Sequence, residues 1–154
     1  MQAWVVNLIT LVANAYDGGV VVGAGAQLGS DKVALLPDAM LLLPFENGDG
    51  DGVGWPALAI SIFDKDTKAD ARQVLIERYA AAGVHEYWQV QAESGRAWLL
   101  QRSADGQLEV IPPDKQGLHF SAVLAELAFP VAWFVDQPDM WHMMDWWGLI
   151  DEEE

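Results

Sequence analysis

The sequence contains no cysteine, which excludes a disulfide scaffold and any cysteine-ligated zinc site. Positive charge is scarce: 8 Lys and Arg stand against 23 Asp and Glu, for a formal net charge of -15. Ordinary nucleic-acid binding is disfavoured by that balance, because Lys and Arg must neutralise phosphates. No apolar run reaches the roughly 18 residues that a membrane-spanning helix needs. A secretory leader is not expected, although Ala3 to Ala15 ends in a cleavage-like Ala-Asn-Ala, because a leader opens on basic residues and the first here is Lys32. A cytoplasmic protein is the expectation. What the chain does have is 154 residues, 52% of them apolar, and eight tryptophans, enough for one domain with a sizeable core.

Apolar spacing predicts a first helix within Ala3 to Ala15, with Trp4, Val5, Leu8, Ile9 and Val12 on its buried face. Asp17-Gly18-Gly19 breaks it, and Val20 to Val22 opens a strand. Val33 to Leu36 and Ala39 to Leu43 read as short strands on either side of Pro37-Asp38, where the proline removes a ladder donor and predicts a bend or an edge. Ala57 to Phe63 reads as a buried strand. Thr67 to Ala82 reads as a helix with Ala71, Val74, Leu75, Tyr79 and Ala82 inward and Gly83 as its stop. Strands follow over Glu86 to Gln91, Arg96 to Arg102 and Gln107 to Ile111, the first two joined by Glu93-Ser94-Gly95. Ser121 is a candidate cap for a short helix through Leu127. Strands on both sides of one long helix predict an α/β (α+β) domain with a mixed sheet.

Several patterns carry no chemistry. Asn47, Asp49, Asp51 and Gly52 have the spacing of a calcium-loop opening, but Leu58 stands where the closing Glu belongs, so a solvated loop is expected. Gly23-Ala24-Gly25 lacks the third glycine of a dinucleotide fingerprint, since Leu28 occupies that position. His85, His119 and His142 share no short metal-ligand spacing. Ser61 and Ser121 lack the glycine pattern of a nucleophile elbow. Tyr87 and Trp88 read as core or dimer-interface packing.

Pro37-Asp38, a strand opening Pro56-Ala57-Leu58, and a run from Tyr79 through Gly83-Val84-His85-Glu86-Tyr87-Trp88 together resemble one bacterial family. It is the putative restriction endonuclease family, a domain of unknown function within the PD-(D/E)xK nuclease superfamily. The resemblance covers about residues 1–130, and by it the family's segment ahead of the first helix is expected to lack a counterpart in this sequence. It implies a restriction-endonuclease-like mixed central sheet with flanking helices, often paired as a homodimer. It also implies a site in which carboxylates hold Mg²⁺, which activates a water, while a lysine orients that water or steadies negative charge. Matched residue by residue, Asp38 fills the aspartate position, the glutamate position is Ser61, and the lysine position is Leu75. The aspartate that precedes the family's lysine falls on Ala71, beside Asp70.

A serine brings no negative charge and a leucine no cation, so Asp38 is expected to be at most a vestigial metal ligand, or to satisfy backbone amides at a turn. No cofactor is expected; Mg²⁺ belongs only to an active enzyme. Three functions follow. The first is a catalytically degenerate domain acting as a binding or structural protein. The second is an active Mg²⁺-dependent nuclease whose site has migrated to Asp64, Asp66 or Glu77, with Lys65 or Lys68 swinging in. The third is an acidic protein that mimics nucleic acid toward a basic partner. Beyond the resemblance, residues 131–154 form an acidic extension rich in Trp and Met, with four of the eight tryptophans in the last 22 residues. From Gln116 onward there are eight acidic residues and no Lys or Arg. That extension is expected to pack on the domain or on a partner, and its acidity disfavours anionic membranes. Asp151 to Glu154 read as a frayed end.

Overall fold

The computed structural model describes residues 1–15, 20–22, 35–43, 55–123 and 128–150. The chain runs α1 (Gln2–Ala15), β1 (Val20–Val22), β2 (Ala39–Leu43), β3 (Trp55–Phe63), α2 (Ala69–Ala81), β4 (Glu86–Gln91), β5 (Ala97–Arg102) and β6 (Leu108–Val110). It continues through β7 (Leu118–Phe120), β8 (Ala128–Pro130), α3 (Trp133–Asp136) and α4 (Met140–Trp146). The first six strands form a mixed sheet in sequence order. Only β3 and β4 run parallel, because α2 crosses between them; the other neighbours are antiparallel. β7 and β8 form a separate antiparallel pair.

Alternation along the strands divides the core in two. Leu58, Ile60, Trp88, Val90 and Leu99 point to one face, where α1 contributes Trp4, Val5, Leu8 and Ile9. Phe129, Trp133, Phe134 and Met143 complete that layer from the C-terminal segment. The other face carries Ala59, Tyr87 and Leu100 and is covered by α2. Trp88 is wholly buried and meets Phe129 and Phe134 ring to ring, at 5.3 and 6.0 Å between centroids. The Trp4 indole donates to the Pro138 carbonyl at 2.9 Å, and that of Trp147 donates to the Ala128 carbonyl at 2.9 Å. These indoles fasten both ends of the described chain to one layer. Gly95 makes this close approach feasible: its φ is +71°, and a Cβ there would lie 2.7 Å from the Phe134 carbonyl oxygen.

The expected inward face of α2 is rotated. Val74 is exposed and Ala71 faces solvent, while Ile76 and Ala80 join Leu75, Tyr79 and Ala82 against the sheet. Tyr79 sets the rotation, since its ring stacks on Tyr87 at 4.2 Å between centroids. Gly83 follows the helix at φ +89°, as its position after Ala82 predicted. Arg102 closes the same end, donating to the carbonyls of Ala80 at 2.6 Å, Val84 at 3.1 Å and Gly106 at 2.9 Å.

Other boundaries differ by a residue or two. Of Val33 to Leu36, only Leu35 and Leu36 lie among the described residues; Leu35 makes a single bridge and Leu36 is exposed. The Asp17-Gly18-Gly19 break, the Gly23-to-Leu28 stretch, the 46–54 loop apart from its bordering strand and the 151–154 end lie outside the described residues. So do residues 124–127 of the expected Ser121 helix; at its start the Ser121 hydroxyl accepts from the Val123 amide at 3.3 Å.

Glu86, part of the run that carries the resemblance, and His119, which shares no short spacing with the other histidines, are almost wholly buried. Glu86 Oε2 accepts from the Ser121 hydroxyl at 2.6 Å, and Oε1 lies 2.9 Å from His119 Nε2. The Gln101 amide and the Ala122 backbone amide complete the set at 3.3 and 3.4 Å. Glu86→Ala removes the acceptor from all of these groups at once. Leaving buried donors unsatisfied costs about 1–3 kcal/mol apiece, so the variant is expected to lose at least about 2 kcal/mol in urea unfolding.

Candidate functional site

Asp38 ends the bend after Pro37 and enters β2. Its backbone amide donates to the Ile60 carbonyl at 2.9 Å, and its Oδ2 accepts from the Ile62 amide at 2.7 Å. The side chain therefore extends the β2–β3 ladder where a backbone carbonyl would otherwise do so. This differs from a local turn cap: the amide it satisfies belongs to the neighbouring strand.

Ser61 lies on β3 between Ile60 and Ile62 and is buried. Its hydroxyl accepts from the Tyr87 phenol at 2.7 Å. Parallel pairing sets Ser61 opposite Gln89, whose side-chain amide donates to the Arg72 carbonyl at 3.0 Å and lies 3.4 Å from the Tyr87 hydroxyl. Leu75 sits one helical turn before Tyr79 and packs into the apolar cluster that holds Tyr79 and Tyr87. The fold thus gathers Asp38, Ser61 and the two tyrosines, with Leu75 contributing an apolar side chain to the same layer.

The remaining candidates tie their own turn, line a cavity or face solvent. Asp64 Oδ1 accepts from the Asp66 amide at 3.0 Å and from the Thr67 hydroxyl at 3.1 Å, tying its own turn. Asp66, Lys65 and Lys68 are exposed. Glu77 lines a cavity of about 260 Å³ with Gln73, Ile76, Ala80, Gln107 and Leu108, between α2 and β6. Arg72 lays its guanidinium 3.8 Å from the Trp98 ring centre, and Arg96 approaches the same ring at 4.8 Å. Of the histidines, His85 is exposed and His142 rests against Trp133 at 6.2 Å between ring centres.

The residues at the family positions do not fit a magnesium site. Mg²⁺ takes oxygen ligands in near-octahedral geometry, usually one or two carboxylates with waters and phosphate. Asp38 has one oxygen engaged by a backbone amide, Ser61 is held by a phenol, and Leu75 offers no polar atom. Among the described residues, no three of His, Asp and Glu converge to hold a metal ion.

Reading positions one at a time overlooked Tyr79, Tyr87 and Gln89 as parts of one polar cluster. The signal was available in the two-residue step from Tyr87 to Gln89, which places both on one face of β4. Burial pushes the Tyr79 phenol up to about 12; its hydrogen bond to Ser61 opposes the rise and the Asp38 carboxylate adds to it. Burial raises Tyr87 further, against hydrogen bonds to Ser61 and Gln89, with Tyr79 and Asp38 adding to the rise. The unfolded chain ionises its tyrosines near about 10, so it sheds protons first as pH rises. Stability linked to these phenols is complete below that pH and falls as pH climbs from there through the folded values. Ultraviolet titration is expected to show two tyrosinates appearing only with alkaline unfolding, and a sharp loss of urea resistance above about pH 10.

Comparison with known proteins agrees with this architecture. The sequence profile of the Uma2 family, described as putative restriction endonuclease, matches residues 1–136. No curated protein matches the chain. Among solved structures, the fold is similar to a putative nuclease belonging to DUF820 from Anabaena variabilis ATCC 29413. The TM-score is 0.65 at 16% identity, over 88% of this chain and 78% of that one. At that identity the likeness establishes the fold. The profile match, across most of the length, establishes that the chain belongs to the putative restriction endonuclease family.

Proposed function

We propose that this chain is a catalytically degenerate restriction-endonuclease-like domain that acts as a binding or structural protein. The observation that carries this reading is the hydrogen bond from Tyr87 to Ser61 at the position where the family expects a metal-holding carboxylate. Phosphodiester cleavage needs a cation to polarise the phosphate and lower the pKa of the attacking water. A neutral hydroxyl already engaged by a phenol contributes nothing to that task, and a single carboxylate bonded to a backbone amide contributes little. Leu75 supplies no charge to a pentavalent phosphorus at any pH. Buried hydroxyls and an aromatic stack instead pack this region as protein interior, with the Gln89 side-chain oxygen left without a partner.

Purified protein is expected to leave single- and double-stranded DNA and RNA intact with millimolar Mg²⁺ or Mn²⁺, and to give no calorimetric heat with either ion. Cleavage that disappears in Asp38→Ala would overturn the reading. Ser61→Glu combined with Leu75→Lys separates lost ligands from a lost site: a gain of Mn²⁺ binding means that the geometry survives, and no gain means that the tyrosines have closed it.

A further inference from the structure

We propose that the outward face of α3 and α4 is a docking surface for a basic amphipathic protein segment, one presenting apolar side chains flanked by Lys or Arg. Trp141 is 70% exposed, with Met140 at 46% and Trp146 at 43% on the same helix. Val135 on α3 and Leu149 just beyond α4 are also exposed, at 63% and 42%. Tryptophan is normally among the most buried side chains by area, so this much apolar surface on a short stretch marks an interaction site more than a solvated one. The exposure does not come from a helix end lacking anchorage. Met143 on the underside of α4 is buried in the core, and the Asp139 side chain caps the helix by accepting from the His142 amide at 2.8 Å.

Charge identifies the occupant. Asp136, Asp139 and Asp145 are exposed along the same segment, and the sequence continues with Asp151 and three glutamates. No Lys or Arg occurs after Lys115, so nothing within the segment balances these acids. A cationic partner gains attraction on approach and, once docked, can lay Lys or Arg against the exposed indoles. The chain already makes that contact internally, where Arg72 and Arg96 flank Trp98. A second copy docking symmetrically through the same face would set these acids against themselves, which disfavours it.

The proposal rests on the reading of the chain as a binding protein and names its partner's chemistry. Docking is read by calorimetry and cleavage by nucleic-acid breakdown, so either can fail alone. The full chain is titrated with a synthetic cationic amphipathic helix of Lys and Leu, and with a counterpart carrying Glu for Lys. The cationic peptide is expected to bind and the acidic one to give no heat. Trp141→Ala is expected to weaken binding about tenfold or more, as for an aromatic anchor. Asp136→Asn with Asp145→Asn is expected to weaken it several-fold, whereas the same charge loss at Asp105 and Glu109, exposed on the β5–β6 side, leaves it unchanged. The proposal is overturned by equal binding of both peptides, by an indifferent Trp141→Ala, or by remote charge removal weakening binding as much. Trp141-dependent self-association in sedimentation without peptide would also overturn it, naming a second copy as the occupant.

Discussion

Glu86 sits at the head of β4 with no exposure to solvent, and much of the later chain is arranged to satisfy it. A buried carboxylate is tolerated only with well-aligned donors, because the effective penalty for removing an ion from water is several kcal/mol. Its hydrogen-bond partners come from separate elements: Gln101 on β5, His119 on β7, and Ser121 with Ala122 after it. Satisfying one side chain therefore docks β7 beside the main sheet. Once β7 is placed, antiparallel pairing fixes β8 and delivers Phe129 against Trp88. The chain then enters α3 with Trp133 and Phe134 already directed into the core. A polar contact of limited net worth thus sets the register of a large apolar one.

This arrangement explains what was legible in the residues. The run from Tyr79 to Trp88 carries the turn glycine, the buried acid and the buried tryptophan within one short span, and it specified the helix-to-strand crossover. Strand periodicity placed β3, β4 and β5 to within a residue or two, because both faces of the sheet are covered. The face of α2 was misjudged because Val74 and Ile76 are both plausible core residues. The stack of Tyr79 on Tyr87 chooses between them, and that pairing depends on a strand beyond the helix. The short pair β7–β8 was missed for a related reason. Three residues such as Leu118–Phe120 carry too little pattern to read locally, and their pairing is fixed by distant groups such as Glu86 and Trp88.

The family positions were legible as residue types but not as a hydrogen-bonding system. Ser61 reads as the absence of a glutamate; in the fold it accepts the hydrogen bond that the buried Tyr87 phenol donates. Asp38 reads as a vestigial ligand or as a turn residue that satisfies backbone amides; its carboxylate does bond a backbone amide, that of Ile62 on the neighbouring strand. A metal site must hold like charges together for the cation to neutralise, and this destabilises the fold while the cation is absent. Neutral hydroxyls in the same volume carry no such repulsion. Tyr79, Tyr87 and Ser61 bring hydroxyls to that volume instead of further carboxylates.

The -15 charge is not spread evenly. Lys65, Lys68, Arg72 and Arg96 lie around the end of β3, α2 and the start of β5, and two of them are drawn onto Trp98. At the opposite extreme of the sequence, α3 and α4 are fixed from beneath by Phe134, Met143 and the Trp147 indole while their acids face outward. Repulsion among those acids would favour an extended segment if nothing opposed it. Core burial opposes it from one side only, leaving Trp141 and Trp146 on the other. The segment therefore combines a base anchored in the core with an exposed apolar and acidic face, the two features that the proposed basic partner would engage together.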